Sequence, residues 1–398
     1  MKIIALETVR TRTQSNLCFV RLHTDSGQIG LGETFYGAES VETYLHEQVA
    51  PQLVGLADPS PEAVGRLLTP YTGYQGGGVE TRGNGAVDVA LWDLLGQIAG
   101  LPLTDLLGGA VRTSIPIYNT CAGSRYVSAT SRQRSDNWGL PEQDEPYEDL
   151  RAFLTRPAEL ARELRAEGYA GMKIWPFDRA AERNDGLRID EAELAEAIGI
   201  VAAIREAVGT DLELMIELHG LWYPGAAARI CRALAPYRPT WVEDPLRADA
   251  VAALGGLRRE VDIPFAVGET CVGRRGFLPL LQENAVDVVT VDPTWTGGLT
   301  EARKVATLAD AFGKPVAPHD CTGPVSLAVA THLSCSQPNG LIQETARAFL
   351  RTWYPELVAG LPEVAEGRIT PSRAPGHGVR LRPELLAAPT TTTRESGR

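Results

Sequence analysis

The chain has 398 residues, a formal net charge of −12, 44% apolar and 22% charged residues, an ordinary globular balance whose length suits two or three domains or one barrel with additions. The acidic balance disfavours nucleic acid and anionic membrane as partners, and no apolar run is long enough to span a bilayer. Glu7 interrupts the apolar start where a signal peptide needs an unbroken run, so a cytoplasmic location is expected. The six cysteines lie far apart without a C-x-x-C pair and read as small buried thiols rather than a zinc or redox motif.

Residues 3–12, 17–23 and 28–33 read as strands, with Asp25-Ser26-Gly27 turning between the last two. Helical patterns follow at 41–53, 61–68 and 85–98. In the last, Val87, Leu91, Leu94 and Leu95 form an apolar stripe. This is an α+β unit over 1–113. From residue 114 the pattern alternates. Strands are predicted at 115–119, 171–175, 212–218, 241–243, 264–268, 286–292, 315–318 and 341–344. Helices fall between them at 158–167, 191–208, 225–234, 251–260, 276–284, 299–312 and 325–336. Eight strands alternating with helices are the pattern of a (β/α)8 barrel, placed at 114–363. The polar segment 124–147 reads as an inserted loop, open to three readings: a cover over the barrel mouth, a subunit contact, or a plain surface loop with neither role. Short strands at 367–369 and 378–381 belong to a segment, 364–386, expected to return to the first unit. The Thr-, Arg- and Ser-rich stretch 387–398 reads as a disordered tail.

The chemistry-bearing residues close the barrel strands. Glu217, Glu243 and Glu269 each end a short apolar run, at intervals of 26 and 26 residues. One βα repeat has about that length, so the three carboxylates should sit side by side at the C-terminal mouth. Packed together without a cation they would repel and in part protonate, and all-oxygen ligation points to one Mg2+. Strand two offers Lys173, strand six Asp292, strand seven His319 and strand eight Glu344. His219 lies two residues after Glu217, which on a strand would point it the same way.

This constellation resembles the enolase superfamily in its mandelate racemase/muconate lactonizing enzyme-like branch. The resemblance covers nearly the whole chain: an α+β capping domain, a modified TIM barrel and a C-terminal return to the cap. It implies base-plus-Mg2+ chemistry on a small-molecule carboxylate. Glu217, Glu243 and Glu269 would hold the metal, and Lys173 would add a second cation at the substrate carboxylate. His319 would be the base, its tautomer fixed by Asp292, while a protonated Glu344 would donate a hydrogen bond to that carboxylate. A homo-oligomer is the family habit.

Racemases of this branch often carry Lys-x-Lys on strand two, but here the second position is Trp175, which cannot shuttle a proton. The Lys-x-Trp pattern resembles certain acid-sugar dehydratases. His319 would then take the α-proton, and either His319 or His219 would protonate the leaving β-hydroxyl. The expected activity is a Mg2+-dependent acid-sugar dehydratase, a hydro-lyase forming a 2-keto-3-deoxy acid. The alternative is a sugar-lactone cycloisomerase or an epimerase on the same intermediate. Trp175, Tyr36, Asn16 and Thr34 are expected to contact substrate, with the Gly-rich residues 71–78 a further cap contact.

Overall fold

The computed structural model describes residues 1–69, 77–142 and 145–397. The cap begins with three antiparallel strands, β1 (Ile3–Thr11), β2 (Leu17–Thr24) and β3 (Ile29–Phe35). Leu6, Val20 and Leu22 pack with Val41, Leu45, Val64, Val87, Leu91 and Leu94 from the covering helices. The long helix Val79–Ala99 lies directly on β3. A side chain at Gly32 would put its Cβ 1.9 Å from the Ala86 carbonyl oxygen, so the sheet needs glycine there.

The barrel staves are β4 (Ile115–Thr120), β5 (Gly171–Ile174), β6 (Glu213–Glu217), β7 (Trp241–Glu243), β8 (Phe265–Val267) and β9 (Val288–Val289), all parallel. A one-residue stave at Val316 bridges to Val289 and Gly340, and β10 (Gln343–Thr345) pairs β4 and closes the barrel. Tyr118, Met215, Trp241, Ala266, Val288, Ala317 and Ile342 fill the interior. They form a packed floor beneath the strand ends, as a barrel core requires.

The C-terminal segment departs from expectation. After β11 (Val358–Ala359), β12 (Glu363–Ala365) pairs β13 (Arg368–Thr370), which pairs β4 of the barrel rather than the cap. β14 (Arg380–Leu381) pairs β11. Contact with the cap comes instead from His377, whose backbone N–H reaches Asp93 (3.2 Å) and whose Nε2 lies 2.8 Å from the Leu31 carbonyl oxygen. The stretch expected to be a disordered tail contains β15 (Thr391–Gly397), which pairs β1 along seven positions. β-branched threonines fit a strand, and the unpaired edge of β1 supplies backbone partners that no local reading of the tail reveals.

Two cap carboxylates fasten the cap to the barrel. Asp88 accepts the backbone N–H of Thr300 (3.0 Å) at the start of the helix Leu299–Ala311. Glu33 accepts those of Val325 (3.0 Å) and Ser326 (2.6 Å) at the start of the helix Pro324–Ser336. Each satisfies helix-end donors that would otherwise be buried unpaired.

Candidate active site

The strand register carries the site. Glu217 and Glu243 are partners across β6 and β7, and Glu269 follows β8 by two residues. Single carboxylate oxygens of the three approach within 4.8 Å of one another, all at buried or half-buried positions. Glu217 Oε2 has no hydrogen-bond partner, while Trp241 Nε1 donates to Glu243 Oε2 from below (2.9 Å). A buried oxygen cluster with an orphaned acceptor is the donor set a hard divalent cation takes.

Lys173, on β5, lies 2.8 Å from Glu243, 2.8 Å from Glu344 and 3.5 Å from Glu217. Burial lowers its pKa, but these carboxylates outweigh burial and hold it well above the usual lysine value. Burial and like-charge crowding push Glu243 up to about 8 in spite of Lys173. Glu344 departs from the expected protonated state. Burial raises it, but Lys173 and His319 win and bring it below the ordinary carboxylate value. It accepts from the Thr120 hydroxyl and from the Asp320 backbone N–H (2.9 Å). An ionised Glu344 anchors Lys173 rather than donating to a ligand.

His319 Nδ1 is 2.9 Å from Asp292 Oδ2, and its Nε2 is 3.2 Å from Glu269. Asp292 is held in turn by the backbone N–H groups of Thr294 (2.7 Å) and Trp295 (2.9 Å). Burial lowers the His319 pKa, but the surrounding carboxylates Glu269, Glu344 and Asp292 overcome it and raise it to about 10.

Across the mouth a second pair mirrors the first. His219 Nδ1 lies 2.8 Å from Asp178, a buried residue at the start of the helix Asp178–Asn184. Burial opposes charge on His219, but Asp178 and Glu217 raise it to about 10. His219 is not on a strand. β6 ends at Glu217, and the backbone turns through φ 50° at His219, whose N–H donates to Glu217 Oε1 (2.6 Å). The imidazole reaches the site through this turn and lies edge-on to Trp175, with ring centroids 5.9 Å apart.

The inserted segment 124–147 is seated on the cap and reaches the mouth. The Tyr36 hydroxyl donates to Gln133 Oε1 (2.7 Å), the Gln133 amide donates to the Tyr126 hydroxyl, and Gln133 Nε2 is 3.4 Å from His219 Nε2. Asn16 is placed differently from expectation. Its amide donates to the Val127 (2.6 Å) and Thr130 (2.7 Å) carbonyls and its Oδ1 accepts from Ser131 (2.7 Å), so it ties down the insertion and has no donor left for a ligand. Thr34 is buried in β3 with its hydroxyl unpartnered among the described residues. The Gly-rich contact at 71–78 falls largely outside the described residues. Asp178, Gln133, Arg82 and Trp295 escaped the sequence reading. Asp178 follows Trp175 by three residues and Trp295 follows Asp292 by three, a proximity that could have flagged both.

Residues 4–108 match the family model of the mandelate racemase/muconate lactonizing enzyme N-terminal domain, and 156–385 that of the enolase C-terminal domain-like family. The chain belongs to the mandelate racemase/muconate lactonizing enzyme branch of the enolase superfamily. Among curated members of this superfamily it is 31% identical to a D-mannonate dehydratase of Sphingomonas sp. over 97% of this chain and 94% of that one. It is 30% identical to a D-galactonate dehydratase family member of Streptomyces bingchenggensis, over 97% and 92%. Solved enolase-superfamily structures agree with the fold. An enolase protein from Sargasso Sea environmental sequencing superposes with TM-score 0.89 at 40% identity, over 100% and 99% of the chains. A mandelate racemase subgroup enolase from Agrobacterium tumefaciens gives 0.89 at 41%, over 100% and 99%.

Proposed function

We propose that the protein is a Mg2+-dependent acid-sugar dehydratase that removes the proton α to a carboxylate, expels the β-hydroxyl as water and yields a 2-keto-3-deoxy acid. The observation that carries this reading is a pair of imidazoles beside one carboxylate cluster, His319 at Glu269 and His219 at Glu217, each with its own buried aspartate on Nδ1. Relatives named for D-galactonate, D-mannonate and D-gluconate dehydration support it.

Glu217, Glu243 and Glu269 would hold Mg2+, which when bound supplies positive charge to the substrate carboxylate as negative charge develops there. Lys173 pairs with the same carboxylate. Asp292 keeps the Nδ1 proton of His319, which leaves Nε2 free to accept the C2 proton. Glu269, the foremost of the carboxylates that hold a proton on His319, is one of the three residues that would bind the cation. The C2–H electron pair becomes the C2–C3 double bond. As the C3–O bond breaks, the hydroxyl takes the proton that His219 holds with the help of Asp178, and leaves as water. The enol product then takes a proton at C3 to become the 2-keto acid. Trp175 walls the pocket beside His219. It cannot serve as an opposed base, which disfavours racemisation.

The protein incubated with Mg2+ and a panel of aldonates and aldarates should give a semicarbazide-reactive 2-keto acid. Consumption of a lactone with no such product would instead favour cycloisomerisation. Deuterium wash-in from D2O with inversion at C2 and no keto acid would favour epimerisation. A cytoplasmic, homo-oligomeric enzyme completes the proposal.

A further inference from the structure

The dehydratase reading gives no role to Arg82, a cap cation that stacks on Trp295 beside the site. We propose that Arg82 and Trp295 form a subsite for a second carboxylate at the far end of the substrate, so that the preferred acid sugar is an aldarate rather than an aldonate. This rests on the dehydratase reading for the reaction, though not for the binding.

Arg82 lies in the first turn of the helix Val79–Ala99. Its guanidinium carbon is 5.1 Å from the Trp295 ring centroid and 6.0 Å from that of Tyr36. Trp295 in turn lies 5.0 Å, centroid to centroid, from His319, and 5.5 Å from Tyr36. The Tyr36 hydroxyl continues the wall through Gln133 to His219. A continuous rim therefore runs from one imidazole to the other through the cap, and Arg82 stands on it one ring away from the base, across Trp295. The reacting carboxylate belongs at Lys173 and the three glutamates, so Arg82 faces the other part of the substrate chain.

Two donors on this rim, one on Arg82 and one on Trp295, are unsatisfied. Arg82 Nε is buried without a hydrogen-bond partner, and among the described residues the carboxylates that act on this guanidinium, Asp292 and Glu269, do so without a close ion pair. Trp295 Nε1 is likewise unpartnered, on a side chain 6% exposed. The nearby acids are otherwise engaged: Asp292 holds His319 and two backbone N–H groups, and Glu269 belongs to the carboxylate cluster. Stacking on two aromatic rings offsets part of the cost of desolvating a guanidinium, and a paired anion offsets far more. The planar fork of arginine suits a carboxylate in a two-point contact, with the indole N–H as a further donor. A terminal hydroxymethyl group, as in an aldonate, would leave the charge unpaired, and sites built around a charged donor discriminate strongly against ligands that cannot use it.

The test compares kcat/KM for configurationally matched pairs: galactarate with galactonate, glucarate with gluconate, mannarate with mannonate. The wild-type enzyme should prefer the aldarate of its best pair by at least about 10-fold. Arg82→Gln should lower kcat/KM for that aldarate by roughly 10- to 100-fold, mainly through KM, with no matching loss for the aldonate. Arg82→Lys, which keeps the charge, should recover part of the loss and guards against a folding defect in the glutamine variant. Equal use of both members of every pair by the wild type, or an equal loss on both in Arg82→Gln, would overturn the subsite. Calorimetric titration of wild type and Arg82→Gln with aldarates in Mg2+ separates this from the reaction. If no acid sugar is dehydrated but aldarate binding weakens in Arg82→Gln, the subsite stands and the dehydratase reading fails. If binding ignores Arg82, the subsite falls whatever the reaction.

Discussion

An imidazole becomes a directed acid or base when a carboxylate fixes its other nitrogen, and here this happens twice within one mouth. His319→Asn should reduce turnover by at least about 100-fold, because no other group accepts the C2 proton, while leaving Mg2+ affinity nearly unchanged. Calorimetry beside steady-state kinetics would check this, and an active variant would remove His319 from its role. Asp178→Asn should slow dehydration by roughly 10- to 100-fold. In D2O the recovered substrate should still acquire deuterium at C2, because the His319 side is untouched. Loss of both exchange and elimination would mean that Asp178 serves the whole mouth. Of the two aspartates, Asp292 was legible because it ends the apolar run 286–292 one repeat before His319, although the strand itself stops at Val289 and leaves Asp292 in the following loop. Asp178 was not, because it opens a short helix in a βα loop, where one acid among many carries no periodic signal.

The βα elements explain why the catalytic geometry can be held rigidly. The loops after β9 and after Val316 bear Asp292 and His319 and run into two helices whose first backbone N–H groups are capped from the cap by Asp88 and Glu33. The close fit leaves no room: a Cβ at Gly323 would lie 2.4 Å from Glu33 Oε1. Glu33→Ala strands two buried helix-end donors and should cost about 1–3 kcal/mol in chemical denaturation, with loosened docking of the cap. An unchanged unfolding midpoint would show that the contact contributes nothing. Long periodic elements were read well. The helices Glu191–Val208, Val251–Glu260 and Pro61–Leu68 fall where their apolar spacing put them. Short elements such as Asp149–Thr155 and β15 were missed. A helix of about two turns has too few residues to show a period, and an edge strand is defined by its partner.

Over the whole molecule, cap and barrel are joined through buried acids whose ionisation couples docking to pH. Burial raises Glu33 from the usual 4.5 to about 8 and Asp88 from 3.8 to about 7, against the helix-end N–H groups that lower both. A raised carboxyl pKa means that the folded chain holds a proton the unfolded chain has released. The stabilisation is therefore complete below the unfolded values and is lost as pH rises through about 7 and then about 8. The melting temperature should fall between pH 6 and 9, and Glu33→Gln with Asp88→Asn should flatten the fall. A wild-type profile that rises over that range would reject the linkage.

The sequence alone determined the alternation that makes a barrel, the three glutamates at equal spacing, and the Lys173, Asp292, His319 and Glu344 positions at strand ends, because a repeating βα unit sends its chemistry to one face. Tertiary structure decided what the repeat cannot encode. It paired Asp178 with His219, committed Asn16 to the inserted loop, kept Glu344 ionised against Lys173, brought Arg82 over Trp295 and seated the last strand on β1. Each of these joins residues from separate elements, and such meetings depend on how the cap sits on the barrel rather than on any local pattern.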